Sequence, residues 1–257
     1  MSKIKNAFVN GKAFIGFLTA GDPSLDKTEE FILSMVEAGA DLIEIGIPFS
    51  DPIAEGEVIQ RANVRALSVD TTLDKIFSMV KAIRLKTQIP IVFLTYLNPV
   101  FTYGYDHFFR ECNNNGVDGV IIPDIPFEEK GELLPFSDKY EVDIISLISP
   151  SSKDRISKIA SCAKGFVYCV SSMGVTGIRN EIKTDFSSLL SAIKAATNVP
   201  VAVGFGISTP QQVSAIGAYA DGVIVGSAIV KIIEEHGADA AKPLYDYVRE
   251  MKKAVSS

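Results

Sequence analysis

Tryptophan is absent from the 257 residues, and cysteine, with three, and histidine, with two, are scarce. A rare residue missing from a chain of this length excludes no fold or function. The three cysteines, Cys112, Cys162 and Cys169, are odd in number and stand in no C-x-x-C spacing. That usage fits a reducing compartment without a metal cluster, with the thiols packed as small hydrophobes. His107 and His236 stand in segments that read as helical. Neither completes a His-Asp-nucleophile set and no cluster has metal-ligand spacing, so serine hydrolase and zinc chemistries fit poorly and no metal is expected. A basic excess is also missing: 25 Lys and Arg against 31 Asp and Glu leave a formal charge of -6. Nothing general then draws the chain to nucleic acid or an anionic membrane, and any phosphate must be bound locally. The N-terminal apolar stretch from Ala13 to Ala20 is too short to span a bilayer and leads into Gly21-Asp22-Pro23, so neither a signal peptide nor a membrane span is expected. No linker, low-complexity tract or charge block divides the chain, and one domain over residues 1–257 is the expectation.

What is present is an ordinary globular composition, 47% hydrophobic and 22% charged, enough for a large core. Short apolar runs rich in β-branched residues recur about eight times: Ala13 to Leu18, Leu42 to Gly46, Ile91 to Tyr96, Gly119 to Ile122, Asp143 to Leu147, Phe166 to Val170, Val201 to Val203 and Gly222 to Val225. Between them lie helical patterns such as Thr28 to Ala38, where Phe31, Ile32, Met35 and Val36 recur at helix spacing before Gly39. Strands about 30 residues apart with helices between predict an α/β fold, a (β/α)8 TIM barrel. A doubly wound open sheet is the rival, but its glycine-rich turn belongs near the first strand, and here such turns follow late strands. Three helix-to-strand turns echo one another, each with an Asp at the strand mouth: Asp41, Asp118 and Asp221. They fall on the N-terminal face, where barrels keep stability determinants.

The chemistry is expected at the other face. The seventh strand runs into Gly204-Phe205-Gly206-Ile207-Ser208 and the eighth into Gly226-Ser227-Ala228. In phosphate-binding barrels this pair of loops, with the N-terminus of a short extra helix, cradles the anion through backbone N–H groups. After the sixth strand, Ser171 to Asn180 is glycine-rich and polar, and reads either as a lid that excludes water or as a plain surface loop. In the second strand Glu44 falls among apolar residues, with Leu42 on its own face and Ile43 and Ile45 on the other. An acid buried there is costly unless paired or functional, and burial raises its pKa towards values useful for proton transfer. Structural bonding to backbone amides is the alternative. Asp124 stands at the rim after the fourth strand, where orienting or capping a helix is the larger expectation. Tyr168, inside the sixth strand, could face the same interior, although packing is the commoner role of a strand tyrosine.

In order along the chain, Gly16-Phe-Leu-Thr-Ala-Gly-Asp-Pro, Glu44-Ile-Gly-Ile-Pro-Phe-Ser-Asp-Pro, Pro123-Asp-Ile-Pro, Gly174-Val-Thr-Gly, Gly204-Phe-Gly-Ile and Val225-Gly-Ser-Ala-Ile-Val resemble the α subunit of tryptophan synthase. The resemblance runs nearly the full length. It implies a lyase of tryptophan biosynthesis that splits indole-3-glycerol phosphate by a retro-aldol step into indole and glyceraldehyde 3-phosphate. Glu44 matches the family's catalytic glutamate. A second catalytic carboxylate, which accepts the indole N–H, falls on Glu55; the family commonly reads Ala-Asp-Gly-Pro where this chain reads Ala54-Glu55-Gly56-Glu57. Tyr168 matches the tyrosine beside the indole. Phe17, Leu94 and Phe205 match apolar positions around the ring, Gly177, Gly206, Gly226 and Ser227 match phosphate contacts, and Asp124 and Thr176 complete the expected substrate-binding set. The resemblance implies no cofactor on this chain. It implies instead a cytoplasmic αββα heterotetramer, in which the loop from Pro48 to Glu57 communicates with the β subunit and pyridoxal phosphate belongs to that partner. An allosteric partner of β with little lyase activity, or a stand-alone lyase releasing indole, are the alternatives.

Overall fold

A computed structural model describes residues 3–170, 180–204 and 206–256. The elements alternate as the apolar runs predict: β1 (Ala13–Thr19), α1 (Leu25–Glu37), β2 (Leu42–Gly46), α2 (Glu57–Ser68), α3 (Leu73–Arg84), β3 (Ile91–Leu94), α4 (Leu97–Tyr103), α5 (Tyr105–Asn115), β4 (Gly119–Ile121), α6 (Leu134–Tyr140), β5 (Asp143–Ile144), β6 (Ser146–Ile148), α7 (Ile156–Ser161), β7 (Val167–Val170), α8 (Asn180–Ala196), β8 (Val201–Gly204), α9 (Pro210–Gly217), β9 (Gly222–Val225), α10 (Ser227–His236) and α11 (Ala241–Ser256). All eight strand pairings are parallel, in the order β5-β4-β3-β2-β1-β9-β8-β7-β6. First and last strands meet, because β1 pairs with both β2 and β9, which an open doubly wound sheet does not do.

The fifth apolar run is one strand position made of two pieces. β5 pairs with β4 and β6 pairs with β7. Between them Ile145 donates its N–H to the Val120 carbonyl at 2.9 Å, so the break is a single residue at which the pairing changes neighbour. Eight strand positions result, the number a small barrel needs for its interior to be filled by side chains.

Alternation sorts the strand residues into two cores. Ala13, Ile15, Leu42, Val92, Ile121, Ile145, Phe166, Ala202 and Ile224 form the barrel interior. Their neighbours in sequence, including Phe14, Ile43, Ile45, Phe93, Val120, Val167 and Val203, pack under the helices. The interior is closed below by a 3-10 turn, Lys3–Phe8, whose Ile4 and Ala7 are buried. Glycines leave room for this plug: a Cβ on Gly119 would stand 2.9 Å from Ile4 Cδ1, and one on Gly222 3.1 Å from Phe8 Cε1.

The three recurring aspartates carry out one job at this lower face. Asp41 accepts from the Phe14 N–H at 2.6 Å, Asp118 from Ile91 at 2.9 Å and Asp221 from Val201 at 2.9 Å. Each backbone N–H of the same aspartate returns a bond to the carbonyl of that same residue. Each carboxylate also holds a cation: Lys252, Arg84 and Lys194 respectively. The repeat therefore satisfies the first exposed donors of neighbouring strands, groups that would cost energy if buried unpaired.

Candidate active site

At the opposite face the strand ends surround a cleft of about 270 Å³, lined by Phe17, Glu44, Glu55, Leu94, Tyr168, Gly206, Gly226 and Ser227 together with Ala54, Gly56, Ile59, Ile207 and Ile224. The sequence therefore brings together, from β1, β2, β3, β7, the β2–α2 loop and the two glycine turns, eight of the expected positions. Thr176, Gly177, Phe205 and the Ser171 to Arg179 part of the expected lid lie outside the described residues.

Glu44 sits in mid-strand opposite Phe17 of β1 and Val92 of β3. It is 2% exposed, and its Oε2 has no hydrogen-bond partner among the described residues. An ionised carboxylate in such a place has lost its water without gaining donors, so burial pushes its pKa up to about 8. At neutral pH Glu44 is thus mainly a carboxylic acid, with a proton to give. The reading of Glu44 as a structural acid bonded to amides loses its basis for Oε2, which carries no such bond.

Tyr168 lies beside it, and its hydroxyl is held far above the usual tyrosine range, first by burial and then by the charge of Glu44. The ring occupies space that Gly204 vacates: a Cβ there would lie 2.5 Å from the Tyr168 hydroxyl. Gly46 does the same for Phe17, whose Cζ would stand 2.7 Å from an added Cβ. The cleft walls are set by these absent methyls as much as by the aromatic rings.

Glu55 differs from Glu44 in having partners. Its Oε2 accepts from Asn63 Nδ2 of α2 at 2.6 Å, and the Tyr96 hydroxyl also bonds its carboxylate. Burial raises its pKa, and the two hydrogen bonds oppose the rise. The Tyr96 hydroxyl also accepts from the Ala54 N–H at 3.1 Å, and its ring packs 5.4 Å from Phe49, so one side chain gathers both ends of the loop. Neither Asn63 nor Tyr96 was singled out from the sequence. A trace of Asn63 was there: it stands on the buried stripe of α2 between Ala62 and Ala66, where a polar residue needs a partner.

Two carboxyl groups in one cleft therefore meet different surroundings: burial raises both, but on the loop Asn63 and Tyr96 oppose the rise while Oε2 in β2 has no hydrogen-bond partner among the described residues. Environments that push titratable groups apart are how acid and base roles are divided.

Across the cleft, α10 begins at Ser227 with no side-chain cap on its N-cap residue Gly226. Its first N–H groups and the positive end of its dipole face the space beside Gly206, the arrangement that binds a phosphate. Because α11 follows as a further helix after β9, α10 is the extra helix expected of phosphate-binding barrels. Asp124 is differently placed. Both its oxygens accept from the Leu97 N–H, at 2.9 and 3.1 Å, so it orders the start of α4, the helix that precedes β4 in the chain rather than the one that follows. Among the described residues, no group of three or more His, Cys, Asp or Glu is arranged to hold a metal ion.

Residues 3–256 match the family model for the tryptophan synthase alpha chain. The tryptophan synthase alpha chain of Lactiplantibacillus plantarum is 50% identical over 256 residues, spanning 99% of this chain and 97% of the relative. Subunit alpha of tryptophan synthase from Legionella pneumophila superposes with a TM-score of 0.90 at 34% identity, over 99% of this chain and 98% of that one. A chain of the tryptophan synthase complex from Pyrococcus furiosus does so with a TM-score of 0.86 at 37% identity, over 95% and 98%. The match runs over the whole barrel, and the chain belongs to the tryptophan synthase alpha chain family, which cleaves indole-3-glycerol phosphate to indole and glyceraldehyde 3-phosphate.

Proposed function

We propose that Glu44 is the proton shuttle of this cleavage and Glu55 its electrostatic partner. The observation that carries this is the contrast in the surroundings of the two carboxyls: Glu44 buried without a partner at Oε2, Glu55 held by Asn63 and Tyr96. Neutral Glu44 gives its proton to C3 of the indole ring, and positive charge develops on the ring nitrogen. The Glu55 carboxylate accepts the ring N–H and stabilises that charge in a site that excludes water. Glu44, now a carboxylate, takes the proton of the adjacent glycerol hydroxyl. As that C–O becomes an aldehyde, the C–C bond breaks and its electron pair restores the aromatic ring. Glu44 ends as it began, which suits a group whose resting form is the acid.

Phe17, Leu94 and Tyr168 frame the ring, with Phe205 beside them, while Gly206, Gly226, Ser227 and the α10 N-terminus hold the phosphate, with Gly177 adding to that grip. Thr176 belongs, in this reading, to the substrate-binding set that the family resemblance implies. Asp124 acts on the substrate side indirectly, by ordering α4. The whole chain works as one barrel domain in the cytoplasm. Its β partner, in an αββα complex, carries the pyridoxal phosphate and receives the indole. Support for the docking end comes from the loop that bears Glu55, where Ile53 is 78% exposed, and from Phe101 of α4, 67% exposed.

The test is indole and tryptophan formation from indole-3-glycerol phosphate, with and without a β subunit. The expected result is slow cleavage alone, strong stimulation by β, and loss of at least a thousandfold in kcat on Glu44→Gln. Stimulation of β that survives Glu44→Gln while wild-type cleavage is negligible would instead make the chain an allosteric partner.

A further inference from the structure

A second cavity, of about 190 Å³, lies outside the barrel wall, between the strand position of β5 and β6 and the segments before and after it. Ile144 and Ser146 face it, because Ile145 between them points into the barrel. Into this space runs Lys130, which is only 9% exposed. Its Nζ donates to the Ile144 carbonyl at 2.9 Å and to Ser146 Oγ at 3.2 Å. Both acceptors are neutral, and among the described residues no carboxylate oxygen lies within salt-bridge distance of this ammonium. Burial holds its pKa down, to about 8, which is how an unpaired buried charge registers.

The same cavity is lined by a buried hydroxyl, Ser152, and at its mouth by Arg155. Arg155 meets Glu128 at 3.2 Å, but both groups are about half exposed, so that pair is screened and easily exchanged. The walls otherwise are apolar, with Ile122, Ile125, Phe127 and Ile159 among them. A chain with net negative charge has here placed two cations and two hydroxyls around a space with no Asp or Glu in its lining, Glu128 meeting only the half-exposed Arg155 and Asp143 acting on Lys130 from beyond salt-bridge distance.

We propose that the cavity beside Lys130 is a binding site for a small oxyanion, a phosphate or a carboxylate group, separate from the catalytic cleft. The third proton of Lys130 Nζ, the Ser146 and Ser152 hydroxyls and the Arg155 guanidinium supply the donors. The bond to the Ile144 carbonyl remains and keeps the ammonium aimed. The anion supplies the counter-charge that, among the described residues, no side chain brings within salt-bridge distance of Lys130, and charge-assisted bonds of this kind are the stronger ones. Binding to the folded chain alone then raises its stability by mass action.

The test titrates the full-length protein with inorganic phosphate, and separately with acetate, by calorimetry, for wild type, Lys130→Met and Arg155→Met. The expected result is a binding component present in wild type, missing in Lys130→Met and weakened at least fivefold in Arg155→Met. Lyase activity with the β partner stays within twofold in both variants, which separates this site from the phosphate grip of the cleft. Acetate binding that is likewise missing in Lys130→Met assigns the site to carboxylates as well, and its absence in wild type assigns the site to phosphate. Isotherms that are the same in all three proteins would overturn the proposal. Should Lys130→Met not fold, Arg155→Met decides alone, and an unchanged isotherm there overturns it.

Discussion

At the scale of single residues, the cleft costs stability to gain chemistry. Glu44 titrates near 4.5 when unfolded and at about 8 when folded. Between those values the folded state binds the extra proton, so stability falls as pH rises through that window and levels off above it. A rise of this size corresponds to about 5 kcal/mol as an upper bound. Glu44→Gln keeps the shape and removes the titration. It should therefore leave urea stability nearly unchanged at pH 5, raise it by about 2–4 kcal/mol at pH 9, and abolish cleavage; equal stabilisation at both pH values would contradict the buried acid. The same proton places the alkaline limb of kcat/KM near pH 8. In the proposed mechanism Glu55 acts as a carboxylate, so it is expected to govern the acidic limb. Its hydrogen bond from Asn63 lowers its pKa against burial. Asn63→Ala should therefore move the acidic limb to higher pH and leave the alkaline limb in place. Glu55→Asp, one methylene shorter, should lose reach to Asn63 and Tyr96, and we expect it to lower kcat about tenfold with little change in KM for the phosphate end.

At the scale of elements, the strands were legible because each buried run is short, β-branched and bounded by turns, and because period two set Glu44 beside Leu42 and apart from Ile43 and Ile45. The echo of Asp41, Asp118 and Asp221 was legible too, as a repeated helix-to-strand turn. Other features were not. The break at Ile145 depends on which neighbour each half of the strand pairs with, a choice made by barrel closure and not by local sequence. The Asn63 and Tyr96 bonds to Glu55 join positions 8 and 41 residues away in the chain, and no local pattern encodes such partners. Asp124 reads in sequence as an acid that orients or caps a helix; the helix whose first N–H it accepts from, α4, comes earlier in the chain and meets it only once β3 and β4 pair. The aspartate repeat gives a prediction that separates elements from chemistry. Asp118 and Arg84 are both largely buried, at 7% and 10% side-chain exposure. Asp118→Ala leaves that guanidinium without its ion-pair partner and the Ile91 N–H without its side-chain acceptor, so we expect a loss of about 3 kcal/mol in urea unfolding. Since the repeat stands at the face away from the cleft, kcat at a temperature well below melting should change by less than twofold.

At the scale of the whole molecule, the barrel divides its labour from end to end. The lower end is closed by the Lys3–Phe8 turn, with Ile4 fully buried against the interior and the ring of Phe8 6.0 Å from that of Phe166. The upper end leaves its space unfilled, with glycines where side chains would close the cleft. Apolar layers contributed by Ile15, Leu42, Val92 and Ile224 lie between the two. A cavity opened in the plug should then lower global stability without touching the positions of Glu44 and Glu55. Ile4→Ala removes three methylene equivalents from a fully buried site, for which a loss of about 2–4 kcal/mol is expected. The cleavage rate measured with the β partner should stay within twofold below the new melting temperature. Combined with Glu44→Gln at pH 9, the stabilities should add to within about 0.5 kcal/mol, as for sites without shared partners. A coupling well above 1 kcal/mol, or a matching fall in kcat for Ile4→Ala alone, would mean that the interior transmits strain from plug to cleft and that the two ends are not independent.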